Sequence, residues 1–314
     1  MSMFPIPTRF IGCDVGKSTL VFFEHGGSGA REVANRAADI KAFAATLDET
    51  CLVICEATGG HEVGLLKILA VMDIPAHRAD ARKIKAFIRS HGVLGKTDAI
   101  DARQLALYGR ERHESLPRWR MPEPNRLKLQ ALVLLRQDMV ADRVAWSNRL
   151  KAPGPQQLKS HMRTIIACLE KRIGVIEAEI DALIKDDGEL DRDRRVLAAI
   201  PGVGPKTVAS LLALMPELGS LDRRQAAALA GLAPHPRQSG ASNGYRRTRG
   251  GRPVVKKALF MAAMSASRCN PTLAATYRRL TENGKKPIVA LVAVMRKLIT
   301  IANAKLRDAR PKPA

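Results

Sequence analysis

Aromatic side chains are scarce in this chain: 4% of 314 residues, with two Trp, three Tyr and seven Phe. So few rings argue against base stacking as the main mode of any nucleic-acid binding. Cysteine is scarce as well. The five cysteines are an odd number, contain no Cys-x-x-Cys, and three of them lie inside apolar runs. That pattern argues against a zinc site and fits a reduced, intracellular protein, with Cys51 and Cys55 as buried small hydrophobes. The first residues carry no long apolar segment of the secretory type, and no stretch is expected to reach the length of a membrane span. The last absence is local. From Arg223 to Thr281 there is no acidic residue, against twelve Arg or Lys.

The chain carries 52 Lys and Arg against 30 Asp and Glu, a net charge of +22. The excess is uneven. Residues 1–113 hold 15 basic and 13 acidic residues, so the remaining 201 carry nearly all of it. A solvated surface normally mixes signs. A single-sign tract of this length, with apolar helix patterns inside it, reads as a folded phosphate-binding face, and the expected partner is nucleic acid.

Four acids stand out against this background. Asp14 closes the apolar run Phe10-Ile11-Gly12-Cys13, and Glu56 closes Cys51-Leu52-Val53-Ile54-Cys55. Asp98 and Asp101 lie three apart in Lys96-Thr97-Asp98-Ala99-Ile100-Asp101, a spacing that puts both carboxylates on one helix face. Two strand-end acids and a helical pair make an oxygen donor set suited to Mg²⁺, as one or two ions, or to Mn²⁺ in its place. Such a site handles phosphodiesters. Glu49 and Glu62 are nearby competitors, read as surface charges, and Lys17 either meets a phosphate or is solvated.

The organisation follows the same patterns. Strands are expected at Arg9–Val15 and Thr19–Glu24, around a Gly16-Lys17-Ser18 turn, at Cys51–Glu56, and near Ile74–Arg78. Helices are expected at Ile40–Leu47, at His61–Met72, and from Ala81 and Asp98. Residues 1–113 thus form an α/β domain. Residues 114–194 read as long helices, broken at Pro153-Gly154-Pro155. The second helix carries Ile166, Leu169, Ile173, Ile176, Ile180 and Leu183 as a heptad seam, which serves equally an intramolecular hairpin or a coiled-coil dimer. Asp186–Asp193 reads as an acidic linker. Residues 195–307 form a mostly helical domain, and 308–314 a disordered tail.

Two segments of the C-terminal half carry further chemistry. Ile200-Pro201-Gly202-Val203-Gly204-Pro205-Lys206 reads as a helix-hairpin-helix turn, in which Gly202, Gly204 and Lys206 bring backbone N–H groups and a cation to a DNA phosphate; a tight inter-helix turn without DNA explains it too. Ser239, in a Pro-broken loop, is ringed by Arg237, Arg246, Arg247, Arg249 and Arg252, with Lys256 and Lys257 beyond. Positive charge of this kind would hold phosphoryl oxygens and ease deprotonation of a serine nucleophile. The same loop serves equally as a phosphate grip, and Ser242 is a rival nucleophile.

These elements together resemble one family. Gly12-Cys13-Asp14-Val15, Cys55-Glu56-Ala57-Thr58-Gly59, the Lys96–Ala102 pair, the Ile200–Pro205 turn, Ala230–Pro234, Ser239-Gly240 and Gly250-Gly251-Arg252 onward to Ala263 are similar, in order and spacing, to the IS110 family of insertion-sequence transposases, which includes the Piv/MooV-type DNA invertases. The resemblance covers nearly the whole chain. It implies a RuvC-like (RNase H-type) N-terminal domain with a DEDD metal site, a coiled-coil middle, and a C-terminal serine transposase domain. It implies Asp14, Glu56, Asp98 and Asp101 as metal ligands and Ser239 as a nucleophile that becomes linked to DNA. It further implies double-stranded DNA, as element ends and target, a structured non-coding guide RNA that bridges them, and a homo-oligomer, dimer or tetramer, whose protomers share a composite site. The setting it implies is a prokaryotic cytoplasm, on the nucleoid. Family members often carry an acid before the Ser-Gly pair; here Gln238 stands in that place, so no neighbouring acid tunes Ser239. The competing expectations are a Holliday-junction or structure-specific nuclease that uses water, and a nucleic-acid-binding protein without catalysis.

Overall fold

The computed structural model describes residues 5–239 and 242–310, with the backbone course alone for 237–239 and 242–246. The chain divides into two compact units, Met1–Pro122 and Glu123–Ala314.

The first unit is built on a mixed five-stranded sheet. Its elements run β1 (Arg9–Val15), β2 (Thr19–Glu24), β3 (Ala30–Ala34), α1 (Ala37–Ala44), β4 (Cys51–Glu56), α2 (Val63–Val71), β5 (Ala76–Ala79), α3 (Ala81–Ser90) and α4 (Asp98–Arg112). Strand order is β3-β2-β1-β4-β5. β1 pairs antiparallel with β2 and parallel with β4, in a register that sets Cys13 against Cys55. β4 is a continuous apolar run because both its faces are covered. On one face Ile11, Cys13 and Val15 pack with Val53, Cys55 and residues of α1 and α2. On the other, Phe10, Leu52 and Ile54 pack with Ile84 and Phe87 of α3 and with Leu105 and Tyr108 of α4.

α4 sits very close to the sheet, and two glycines make that possible. A Cβ on Gly12 would fall 1.9 Å from the Ala102 carbonyl oxygen, and one on Gly109 would fall 2.1 Å from Cδ1 of Ile54. β3 was not anticipated. It is an edge strand with Val33 as its one buried residue, so it carries almost no hydrophobic signal.

The second unit is helical apart from one hairpin. Its elements are α5 (Pro124–Lys151), α6 (Lys159–Asp186), α7 (Gly188–Ala198), α8 (Pro205–Leu214), α9 (Arg223–Leu229), β6 (Pro234–Ser239), β7 (Ser242–Thr248), α10 (Pro253–Cys269), α11 (Pro271–Glu282) and α12 (Pro287–Ala309). Five of these helices start on a proline, whose fixed φ and missing N–H suit the first turn. The heptad seam closes the intramolecular hairpin: Ile176, Ile180 and Ile184 of α6 join Leu129 and Val133 of α5 in one core. Arg136 of α5 pairs with Glu177 of α6 across it.

Three expectations change here. Asp186–Asp193 is not a linker. Asp187 caps α7 by accepting from the Glu189 and Leu190 N–H groups, and Asp193 is fully buried between Arg192 and Arg310. Charge that reads as solvated is thus spent on a cap and a buried ion pair. α12 contains an 18-residue window of mean hydropathy 1.6, long and apolar enough to cross a membrane, contrary to the sequence expectation. Of its apolar side chains, Val294, Leu298, Ile299 and Leu306 are buried in the core of this unit. The expected tail begins inside α12, which runs to Ala309, and residues 311–314 lie outside the described residues.

Candidate active site

Strand alternation decides where the acids point. Phe10, Gly12 and Asp14 share the face of β1 that meets α4, and Leu52, Ile54 and Glu56 share that face of β4. Asp14 and Glu56 each follow the Cys13–Cys55 pair, so they end neighbouring parallel strands at one level. Ligands in α/β sheets are usually held beyond such carboxyl ends. Thr97 caps α4 by accepting from the Ile100 N–H, which fixes the start of the helix and places Asp98 and Asp101 in its first turn. The positive end of the helix favours negative charge there.

Asp14 lies within electrostatic reach of the other three acids. Burial, then the charges of Asp98 and Asp101, and last that of Glu56, push the Asp14 carboxyl up to about 6; only the Val15 backbone N–H opposes them. Burial raises Glu56, helped by Asp101 and Asp80 and opposed by Lys85 and Lys96. Burial likewise raises Asp101, with Asp98 adding to it and the same two lysines opposing. Among the described residues no three His, Cys, Asp or Glu side chains close to metal-binding distance. The acids are therefore within mutual electrostatic reach without forming a ready ligand shell. The donor set fits a hard divalent cation, since it is all oxygen and its charge is undercompensated by the protein.

Sequence reading missed three groups here. Lys85 of α3 and Lys96, just ahead of α4, are the cations nearest this cluster in effect. Glu62 is not a surface residue. Its side chain is fully buried, accepts from the Thr58 and Gly60 N–H groups, and takes a fork from Arg78 of β5. Burial pushes its carboxyl up, but the hydrogen bonds and the Arg78 guanidinium more than offset that and hold it below the ordinary range. It thereby pins the loop that follows Glu56. Glu62→Gln is expected to lower stability by on the order of 2 kcal/mol, read by urea denaturation; an unchanged midpoint would mean the pin is dispensable.

The C-terminal candidates fall out differently. The α7–α8 turn forms as expected. Gly202, at φ +96°, packs so tightly on α10 that a Cβ would fall 2.6 Å from the Ala266 backbone, whereas Gly204 opens to free space. Lys206 is paired with Glu177 at 2.9 Å. The expected loop around Ser239 is a hairpin instead, with Pro234 opposite Thr248 at its base and Ser239 opposite Ser242 at its far end. The register shifts between His235 and Arg237, where Pro236 has no N–H to give the ladder. Gly231 and Gly251 cross backbone to backbone below it; a Cβ on Gly251 would fall 2.1 Å from the Gly231 nitrogen. Arg252 is committed to structure, forking onto Glu217 and donating to the Leu214 carbonyl. Lys256 donates to Thr248, while Arg247, Arg249 and Lys257 are exposed. The side chains of Arg237, Gln238, Ser239, Ser242 and Arg246 lie outside the described residues, as does Gly240.

Comparison with known proteins now decides the family. The profile described as the Transposase IS116/IS110/IS902 family matches residues 194–278, and that of the DEDD transposases of the IS110 type matches 11–159. The pilin gene-inverting protein of Moraxella lacunata is 33% identical over 232 residues, covering 73% of this chain and 71% of its own. The chain belongs to the IS110 family of transposases. The pilin gene-inverting protein of Moraxella bovis matches to the same extent. A 43.6 kDa protein of insertion element IS110 from Streptomyces coelicolor is 35% identical over 135 residues, 42% of this chain and 32% of that protein. The protein is thus a DNA transposase/recombinase. The DEDD in the name of the matching family model points to dependence on a divalent metal.

Proposed function

We propose that this transposase breaks and rejoins DNA strands by joint use of the four acids and Ser239. The observation that carries the reading is the placement of Asp14 and Glu56 at the ends of neighbouring parallel strands, with Asp98 and Asp101 in the first turn of α4 close enough to act on Asp14, whose carboxyl burial first and these neighbours second raise to about 6. Asp14, Glu56, Asp98 and Asp101 would hold Mg²⁺, as one ion or two, in a RuvC-like domain. When bound there, Mg²⁺ supplies charge stabilisation at the attacking and leaving oxygens of a phosphodiester. Lys85 and Lys96 offer cationic contacts for the flanking phosphates. In the second unit, Ser239 Oγ attacks phosphorus. The Oγ–P bond forms as the bond to one deoxyribose oxygen breaks, and the serine proton passes to that leaving oxygen. The phosphodiester energy is kept in the protein–DNA link, so the reverse attack rejoins strands without further energy input. Exposed Arg247, Arg249 and Lys257 grip the backbone. A structured guide RNA supplies the choice of site, which suits a chain poor in aromatic base-reading residues, and the working form is a homo-oligomer.

The test is a strand-cleavage assay with Mg²⁺ on the element's own ends and flanking transcript, resolved on a denaturing protein gel. Wild type is expected to give a DNA-linked band that is absent in Ser239→Ala. Cleavage that survives Ser239→Ala without any linked band would instead mean a water-using nuclease. Binding of duplex DNA is expected to weaken by roughly 10³-fold or more between 50 and 200 mM salt, because phosphate contacts release counterions.

A further inference from the structure

A cleft of about 540 Å³ opens between the base of the β6–β7 hairpin and the first turns of α12. That size falls within the roughly 300–1,000 Å³ of small-ligand clefts. Its walls are apolar, from Leu232, Ile288, Val289 and Val292, and its lining includes two guanidinium groups, Arg247 and Arg296. Ile288 is 53% exposed at the cleft. Both arginines are exposed, and neither forms an ion pair with a described residue, unlike Arg252, which is spent on Glu217.

An apolar slot with two free guanidinium groups is matched by a ligand that is flat and apolar on its faces and anionic at its edges. A nucleobase taken out of its stack, still attached to its phosphates, has that chemistry. Guanidinium planes add to it, since they both pair with phosphate and stack on bases. The location agrees. The cleft lies at the base of a hairpin whose far end carries Ser239, five residues away, or roughly 17 Å of extended strand. A strand held at the cleft would reach Ser239 within a few nucleotides.

We propose that this cleft binds one unstacked nucleotide of a nucleic-acid strand, its base against Ile288, Val289 and Val292 and its flanking phosphates on Arg247 and Arg296. The proposal rests on the family's action on DNA and is independent of the serine chemistry.

The test uses the full chain and fluorescence anisotropy with four labelled 20-residue strands: oligothymidylate, oligouridylate, oligodeoxyuridylate, and an abasic strand of the same charge. A 20-base-pair duplex serves as reference. Wild type is expected to bind oligothymidylate about tenfold more tightly than the abasic strand. Ile288→Asn, at an exposed position, should bring that ratio close to one while leaving duplex binding and the circular dichroism spectrum unchanged. The double variant Arg247→Gln, Arg296→Gln should weaken all strands and lower the salt slope by roughly 1.4, about 0.7 per lost contact. Oligouridylate binding equal to oligothymidylate would assign the cleft to either nucleic acid; weaker binding that is matched by oligodeoxyuridylate would place the difference on the base methyl group, and weaker binding that oligodeoxyuridylate does not share would assign the cleft to DNA. Equal binding of base-bearing and abasic strands by wild type, or a preference untouched by Ile288→Asn, would overturn the proposal. Failure to bind the duplex reference would count against DNA action itself, so the two failures are distinguishable.

Discussion

Asp14→Asn should cut Mg²⁺-dependent strand cleavage by on the order of 10³-fold, several kcal/mol of transition-state stabilisation, and yet raise the melting temperature of the metal-free protein at pH 8. Both effects come from one cause. Burial and three neighbouring carboxylates raise Asp14 from the usual carboxylate range to about 6 in the folded protein. A folded-state value above the unfolded one means that the native state binds the proton more tightly. The stabilisation tied to that proton is complete below the unfolded value, near 4, and is lost as pH rises toward about 6. Above that, ionised Asp14 works against folding, and the isosteric amide removes the repulsion without opening a cavity. Divalent cation should reverse the order, because binding to the native state stabilises wild type and not the variant. Cation affinity of wild type should fall as pH drops through about 6, since protons and metal compete for one carboxylate. Scanning calorimetry in EDTA and in Mg²⁺, at pH 5 and pH 8, reads the stability and cation effects, and the strand-cleavage assay reads the activity. Equal melting temperatures for the two proteins in EDTA at pH 8 would mean that the acids do not repel one another as described.

Gly12→Val should be the most damaging single change in the N-terminal unit. Any Cβ at this position meets the Ala102 carbonyl at 1.9 Å and the Ala106 nitrogen at 2.4 Å. Both are helix backbone, which cannot rotate away, so α4 must lift from the sheet. The expected cost is on the order of 3 kcal/mol, the upper end for overpacking. The functional cost is larger, because α4 carries Asp98 and Asp101. Lifting it separates them from Asp14 and Glu56, so cleavage should vanish even at temperatures where the variant remains folded. Gly109→Ala is the control. Its Cβ would meet Cδ1 of Ile54 at 2.1 Å and Cγ1 at 2.8 Å, a side chain that can shift where helix backbone cannot, so the expected loss is smaller, about 1–2 kcal/mol, with cleavage retained. Denaturation and cleavage measured side by side check the pair. A Gly12→Val protein with wild-type stability would show that the helix seat is not as tight as its geometry implies.

Much of the N-terminal site was legible because its signals are local. Strands β1, β2 and β4 fall at Arg9–Val15, Thr19–Glu24 and Cys51–Glu56, where the apolar runs place them. Asp14 and Glu56 close two of those runs, and Thr97 caps the helix that carries the other pair. What stayed hidden depends on partners distant in sequence. Nothing near Glu62 announces that Arg78, sixteen residues on, will bury it. Lys206 and Arg252 look like free cations until the fold brings Glu177 and Glu217 to them. The β6–β7 hairpin was hidden for another reason: two prolines and a run of arginines replace the apolar alternation that marks a strand. α7 began inside a charged stretch whose acids serve as cap and buried ion pair.

The most direct measurement is tandem mass spectrometry of the DNA-linked protein after exhaustive nuclease and protease digestion. The expected result is a nucleotide phosphate remnant on the peptide containing Ser239, located on Ser239 itself, in wild type and in none of the material from Asp14→Asn. A remnant on Ser242, or a wild-type digest with no modified peptide despite cleaved DNA, would contradict it.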